Sequence, residues 1–438
     1  MSGPGAGNSS EVSPSSGPGV GGPSGAGDRP GPAAAYALWT DALARAGWRA
    51  GLAGLAVEHV PAADGLGRVT AGDVHARWPS PRSDCAAMDG IAVAAAALRA
   101  AATGRADRVR LPSSAFDWVD TGDPMPAGAD TVIERERLLP HDDGSVFVTG
   151  IASPAPGRNV RAAGEDFATG QLLVPAGRRL RPGDLAAAAT GGHAILAVAR
   201  QPVVAIIPTG DEIRSVGTPL RRGEIADTNS LMLAARSRQA GARPKVSEIQ
   251  PDDPDALAAE IRGVAADADL VLVLAGSSRG RGDHTAAVLA QVGGVAVAGA
   301  AVRPGHPVLL GHAKPGEVAG RQAAGTVPVI GVPGYPLAAA VIFELFALPV
   351  LASLQGWQRA DDTRRAVLDR DWDSPPGVEE WVPVTLAPAA GGLAATPARR
   401  GAGSISQLAR ADAWWPIPVG QGHFPAGTLV EVRPLSAD

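Results

Sequence analysis

Cysteine is all but missing from this chain: Cys85 stands alone among 438 residues. One thiol rules out an internal disulfide framework and a cysteine-built zinc site. No base lies near it in the sequence, so it reads as an inert buried thiol. Aromatics are scarce at 4%, against 45% apolar residues in all, so the cores must be built from Ala, Val and Leu. A surplus of one charge sign is lacking too: the formal net charge of −5 gives no reason to expect a nucleic-acid surface. Long apolar runs are interrupted, the best of them at 341–354 by Glu344 and Pro349, which argues against a membrane span. The first residues lack the basic-then-apolar order of a signal peptide. Neither an HExxH metal pair nor a serine-hydrolase elbow occurs. These absences leave a soluble, cytosolic protein with material for two to four domains.

What is present falls into segments. Residues 1–32 are almost wholly Gly, Ser, Pro and Ala and cannot bury enough apolar surface to offset ordering, so a disordered tail is expected. Apolar residues at helical intervals over 34–49 predict a helix. Segment 104–150 alternates "DRVRLP", "TVIERE" and "SVFVTG" with turns, the pattern of a small β-rich unit. Beyond residue 200, strand-like runs alternate with helical ones: "PVVAIIPTGDEI", "TNSLMLAARSRQAGA", "PDDPDALAAEIRGVAADADLVLVLAG" and "PVIGVPGYPLAAAVIFELFALPVL". Such alternation predicts a parallel α/β sheet. After a charged stretch at 358–365 the pattern returns to short strands, which predicts a separate β-domain.

In open α/β sheets, ligands sit outside the carboxyl ends of the strands. Four loops leave strands at that edge: 209–212 "TGDE", with Thr209, Gly210 and Glu212; Asp252 and Asp253; 276–283; and 333–336 "PGYP", with Pro333, Gly334, Tyr335 and Pro336. The stretch 275–282 holds three glycines, two serines and two arginines between the apolar run "LVLVL" and a helix start. Gly276, Ser277, Ser278, Arg279 and Gly280 could present backbone N–H groups and cationic charge to an anion. The spacing matches no nucleotide signature, so an ordinary strand-to-helix turn remains the alternative. Acids on three loops, with cations on the third and at 302–307 "VRPGHP", suit a phosphorylated ligand held with a divalent metal. The competing reading of Asp211, Asp252 and Asp253 is helix capping. In the first half, "AAMDGIAV" holds Asp89, "VDTGDPMPAGADTVIERE" holds Thr121, and "GEDFATGQ" holds Asp166. Each alone reads as a β-turn.

Taken together and in order, "AAMDGIAV", "DTGDPMPAGADTVIERE", "NVRAAGEDFATGQLLVPAGRRL", "TGDEI", "GEIADTNSLML", "PDDPDAL", "AGSSRGRGDHT", "VRPGHPVLLG", "GVPGYPLAA" and the weaker "GAGSISQLARADAW" resemble the molybdopterin molybdenumtransferase family. This is the MoeA type, which includes the C-terminal domain of gephyrin. The resemblance covers roughly 34–436. It implies a multidomain α/β plus β fold. A disordered tail (1–32) precedes a discontinuous linker or dimerisation domain (33–76 and 150–200) that carries an inserted β-rich domain (77–149). A MogA/MoaB-like molybdopterin-binding domain (201–356) and a C-terminal β-barrel-like domain (362–438) follow. The implied activity is insertion of molybdate into adenylylated molybdopterin with Mg²⁺ present, releasing AMP. The implied assembly is a homodimer whose active site is shared between subunits, with a separate molybdopterin adenylyltransferase as a possible partner.

Carried across position by position, the family's functional acids fall on Asp89, Asp166, Glu212, Asp253 and Asp283. Its threonine falls on Thr121, its late serine on Ser404, and its DTN loop on Asp227 and Asn229. Asp283 and Glu212 are the implied metal holders, Asp253 and Glu212 position ligand, and Asp89 lies toward the molybdate. Departures also mark this chain: the lysines of the family's KPGKP loop are Arg303 and His306 around Gly305, GGVSVG is "AGSSRGRG", and PGNP is "PGYP". Positive charge has thus moved between loops. Its redistribution favours a non-catalytic pterin-binding carrier, sensor or scaffold, whereas the retained acids favour the enzyme.

Overall fold

Three runs in the second half of the chain, Val203–Pro208, Leu270–Leu274 and Val327–Val332, are buried at every position. They form the centre of the sheet in the computed structural model, which describes residues 29–48, 55–102, 108–150, 153–274, 284–316, 325–359, 362–401 and 405–435. Their side chains alternate between two covered faces, as strand geometry requires. Val204 and Ile206 join one cluster with Leu272 and Ile330, while Ala205 and Ile207 join another with Val271 and Val329. Helices Thr228–Gln239 and Pro336–Ile342 lie on the first face, Pro254–Ala265 and Thr285–Val292 on the second.

Arg243–Val246 adds a fourth parallel strand at one edge. The other edge differs from a purely parallel sheet. Leu309–Ala313 pairs antiparallel with Val327–Val332, and Gly293–Ala298 pairs antiparallel with Leu309–Ala313. These two strands follow one another without a crossover helix, so they must run in opposite directions. The helix Pro32–Arg45 packs across them, and Trp39, fully buried, donates its Nε1–H to the Gly311 carbonyl at 2.7 Å. Residues 29–32 belong to this packed region rather than to a tail: Ala301 N donates to Pro30 O at 2.8 Å.

The apolar run with Glu344 and Pro349 turns out to be unbroken in space. Pro336–Gln355 is one helical stretch of 20 residues, long and apolar enough to cross a membrane by length and composition, and 78% of its most apolar window is buried inside the protein. A π-turn at Phe343–Ala347 sits just before Pro349, near the start of Leu348–Gln355. Such a turn absorbs the missing proline N–H without ending the helix. Glu344 is held by Arg236 and, at 3.3 Å, by Arg359, so its charge is not stranded in the core.

Upstream, 57–76 and 167–199 pack on each other. Val57–Pro61 runs antiparallel to Ile195–Ala199 around Val74, Val174, Leu180, Ala188, Leu196 and Val198. Between them lie two three-stranded sheets, one of Gly90–Val93, Asp117–Val119 and Thr131–Glu134, the other of Arg108–Leu111, Leu138–Pro140 and Val146–Thr149. At the C-terminus, Arg364–Leu368, Glu379–Ala389, Gly392–Pro397, Ala413–Ile417 and Leu429–Pro434 close into a five-stranded barrel, because Glu379–Ala389 also pairs with Ala413–Ile417. Trp381 and Trp414, edge to face at 6.2 Å, turn away from the barrel interior and join the α/β core.

Candidate functional site

Strand Val203–Pro208 ends at Thr209, whose hydroxyl donates to Leu274 O of the neighbouring strand at 3.0 Å. The chain then doubles back at Gly210, φ +134°, where a Cβ would lie 2.8 Å from Glu212 Oε2. Only glycine accepts both that dihedral and that proximity. Asp227 caps helix Thr228–Gln239 by accepting from Ser230 N at 3.0 Å. Asn229 Nδ2 donates to Gly334 O at 2.8 Å and so ties this helix start to the 333–336 turn. Gly305, φ +120°, takes the chain past Ile342, whose Cδ1 is 2.8 Å from where a Cβ would be.

The barrel supplies the facing wall. Val302–Arg303 leaves the α/β unit and pairs in parallel with Glu379 and Glu380. The Glu380 side chain is buried and accepts from Trp372 Nε1 at 3.0 Å and Arg400 Nε at 3.2 Å, with Arg400 stacked 4.6 Å over the Trp372 ring. Between barrel and strand ends opens a cleft of ≈ 1350 Å³. Thr209, Glu212, Asp227, Asn229, Arg303, Gly305, His306, Pro333, Gly334, Tyr335 and Pro336 all line it.

The other residues singled out from sequence are placed elsewhere. Asp253 caps helix Pro254–Ala265, accepting from Asp255 N and Ala256 N at 2.8 and 3.1 Å. Asp89 and Thr121 pair on the inserted sheets, the Asp89 carboxylate accepting from the Thr121 hydroxyl and amide, both at 2.7 Å. Asp166 is exposed beside the 80–81 turn, its N–H donating to Ser80 O. Gly276, Ser277, Ser278, Arg279, Gly280, Asp283 and Ser404 lie outside the described residues. Arg29 and Arg399, which the motifs did not mark, also line the cleft. No local pattern announces either one, since Arg29 follows a low-complexity stretch and Arg399 sits between barrel strands.

Charge in the cleft is unbalanced. Arg29, Arg303 and Arg399 have no carboxylate partner among the described residues, whereas Arg400 is spent on Glu380. Burial first, then Arg29 and Arg303, lowers the pKa of His306, which leaves the imidazole neutral near pH 7. Outside the cleft, the Thr121 hydroxyl and then its amide hold the Asp89 carboxyl below its usual range, with Arg135 adding to the effect. At the strand ends, partial burial raises the pKa of Asp252; the Asp211 backbone hydrogen bond opposes it, the charges of Asp211 and Glu212 add to it, and His284 pulls back. Crowded carboxylates of that kind suit a hard divalent cation, although among the described residues no group of three or more His, Cys, Asp or Glu is arranged to hold one.

A strand-end cleft roofed by a C-terminal barrel, on a chain that also carries a discontinuous arm, defines a multidomain α/β plus β protein. The family-level match is specific. The "MoeA N-terminal region (domain I and II)" matches residues 38–192, the "Probable molybdopterin binding domain" 205–353, and the "MoeA C-terminal region (domain IV)" 365–435. The chain belongs to the MoeA family. It is 32% identical over 410 residues to molybdopterin molybdenumtransferase 2 of Mycobacterium tuberculosis, covering 86% of this chain and 95% of that one. It is 29% identical over 396 residues to the molybdopterin molybdenumtransferase of Bacillus subtilis, covering 86% and 89%. Among solved structures, a molybdopterin biosynthesis MoeA protein from Pyrococcus horikosii superposes with a TM-score of 0.73 at 27% identity, over 93% of this chain and 99% of that one.

Proposed function

We propose that this chain is a molybdopterin molybdenumtransferase: it inserts molybdate into adenylylated molybdopterin in the cytosol and releases AMP. The supporting observation is the cleft itself, where strand-end loops and the barrel gather unpaired guanidinium groups beside Glu212, Asp227 and Asn229. Both substrates are polyanions, and guanidinium forks match phosphate and molybdate oxygens. Water adds across the phosphoanhydride, so one phosphate keeps the bridging oxygen and the other takes the oxygen of water. Arg303 and the neutral His306, which line the cleft, would donate to the oxygens on which charge grows. Thr209 and Asn229 hold the strand-end loops that fix the ligand's orientation.

Glu212, which lines the cleft, would hold a magnesium ion together with Asp283. Bound there, the ion supplies neutralisation of the anhydride oxygens. Asp89, Thr121 and Asp166 do not line the cleft of their own chain, and we assign them to the cleft of a second copy in a homodimer. A separate adenylyltransferase would supply the adenylylated substrate.

The test is AMP release from adenylylated molybdopterin with molybdate and Mg²⁺. Turnover by the wild type, lost in Glu212→Gln with the fold intact, is expected. Tight pterin binding with no AMP above background would replace the enzyme with a binding protein.

A further inference from the structure

Arg29 is an unexpected occupant of the cleft. It precedes the helix Pro32–Arg45, in a stretch whose composition announces no site, yet its side chain lines the wall beside the 299–306 loop. The chain that follows the arginine is anchored twice: Pro30 O accepts from Ala301 N at 2.8 Å, and Trp39 Nε1 donates to Gly311 O at 2.7 Å. The loop makes room for it. Gly299 has φ +94°, and a Cβ there would lie 2.9 Å from Arg29 Nε and 3.1 Å from its Cδ. Any other residue at 299 would have to push the guanidinium aside.

Among the described residues, nothing pairs with the arginine held in this way. Its Nε is buried without a hydrogen-bond partner, and among the described residues it forms no ion pair. Its surroundings worsen the imbalance, since Arg303 and His306 are close enough for Arg29 and Arg303 to depress the imidazole. Unpaired, partly desolvated cations cost free energy, and the cost is recovered when an anion arrives. Two guanidiniums and a neutral imidazole suit a tetrahedral dianion: each fork can donate two parallel N–H bonds, and the imidazole one more.

We infer that Arg29 is an oxyanion-positioning residue, acting with Arg303 to hold a tetrahedral dianion against the 299–306 loop. The dianion is molybdate or a phosphate of the ligand. This deepens the proposed function, and which of the two is held rests on that reading. The N-terminal segment, outside all three matched domain regions, thereby becomes part of the binding site.

The experiment titrates two probes, sodium molybdate and AMP, into the full-length wild type, Arg29→Ala, Arg29→Gln, Arg29→Lys and Gly299→Ala. Loss of a charge-assisted pair predicts that Arg29→Ala and Arg29→Gln bind one probe about ten- to hundredfold more weakly. Arg29→Lys should recover part of that loss, since it restores charge without the fork, and Gly299→Ala should copy the alanine variant. Melting temperatures of the Arg29 variants should stay near the wild type, whereas Gly299→Ala, strained at φ +94°, should melt lower. The responding probe identifies the anion. Unchanged affinity for both probes in Arg29→Ala, or a wild type that binds neither, overturns the inference. AMP release is scored separately on the same proteins. Weakened binding in Arg29→Ala beside an inactive wild type sinks the transferase reading alone, whereas an active wild type with unaltered binding in the variants sinks Arg29 alone.

Discussion

Asn229 and Gly334, 105 residues apart, are joined by a 2.8 Å hydrogen bond from the Asn229 amide to the Gly334 carbonyl. That bond ties the start of one helix to the turn that starts another, and both line the cleft. The Asn229 Oδ1 is buried with no partner among the described residues, so half of the amide is committed to structure and half is left to receive a donor from a ligand. Asn229→Ala should cost about 1 kcal/mol of stability and lower ligand affinity by roughly tenfold. Asn229→Asp should fail as a rescue, because a carboxylate would face a carbonyl. Calorimetric melting paired with ligand titration separates the two effects; affinity unchanged in Asn229→Ala would confine the residue to a structural role.

His306 and His312 set a pH dependence of stability. Both are lowered from 6.5, each chiefly by burial, with Arg29 and Arg303 acting on His306 and Lys314 on His312. The unfolded chain therefore binds more protons than the folded one between the lowered values and 6.5. Stability is full above about pH 6.5, falls as pH drops through that window, and levels off below the folded values. A His306→Gln, His312→Gln double variant should show a flatter melting temperature between pH 7 and pH 5 than the wild type. Identical slopes would rule these imidazoles out.

Asp252 runs the other way. Its folded pKa is raised above 3.8, chiefly by burial and further by the charges of Asp211 and Glu212 against a hydrogen bond from the Asp211 backbone, so the fold disfavours its ionised form and the penalty stands at neutral pH. Asp252→Asn should raise the melting temperature at pH 7 while weakening any dependence of turnover on Mg²⁺. A lower melting temperature would mean that the carboxylates repel less than their placement implies.

Complementation tests the shared site. Asp89→Asn and Glu212→Gln should each abolish AMP release when alone. Mixed from unfolded chains and refolded together, they should recover about a quarter of wild-type turnover. The estimate follows from random pairing in a two-fold dimer, where half the molecules are mixed and each keeps one intact site. No recovery, with dimers present, would place both acids in one chain's site.

Much of the architecture was readable before any coordinates. All-apolar "LVLVL" became a strand buried on both sides, and "PDDPDAL" became a capped helix start, because such elements depend on neighbours close in sequence. Loops at 209–212, 302–307 and 333–336 met at one cleft, as strand-end geometry requires of a parallel sheet. Local reading failed where the partner was remote. The long helix after "PGYP" was legible, but Glu344 and Pro349 seemed to interrupt its apolar run because nothing nearby shows the arginines and the π-turn that accommodate them. Arg29 looked like tail because the loop that receives it lies some 270 residues downstream.

Residue order alone established the family, the alternation of strands and helices, and which turns carry acids and cations. The family follows from ten motifs standing in its order, and the rest from periodicity and backbone chemistry, which act over a few residues at a time. Which charges stay unpaired was settled by folding: the barrel's Glu380 neutralises Arg400 and, among the described residues, nothing pairs with Arg399, while Gly299 admits Arg29 to a wall that already holds Arg303. Electrostatic partners are chosen by distance in space, and packing alone sets that distance.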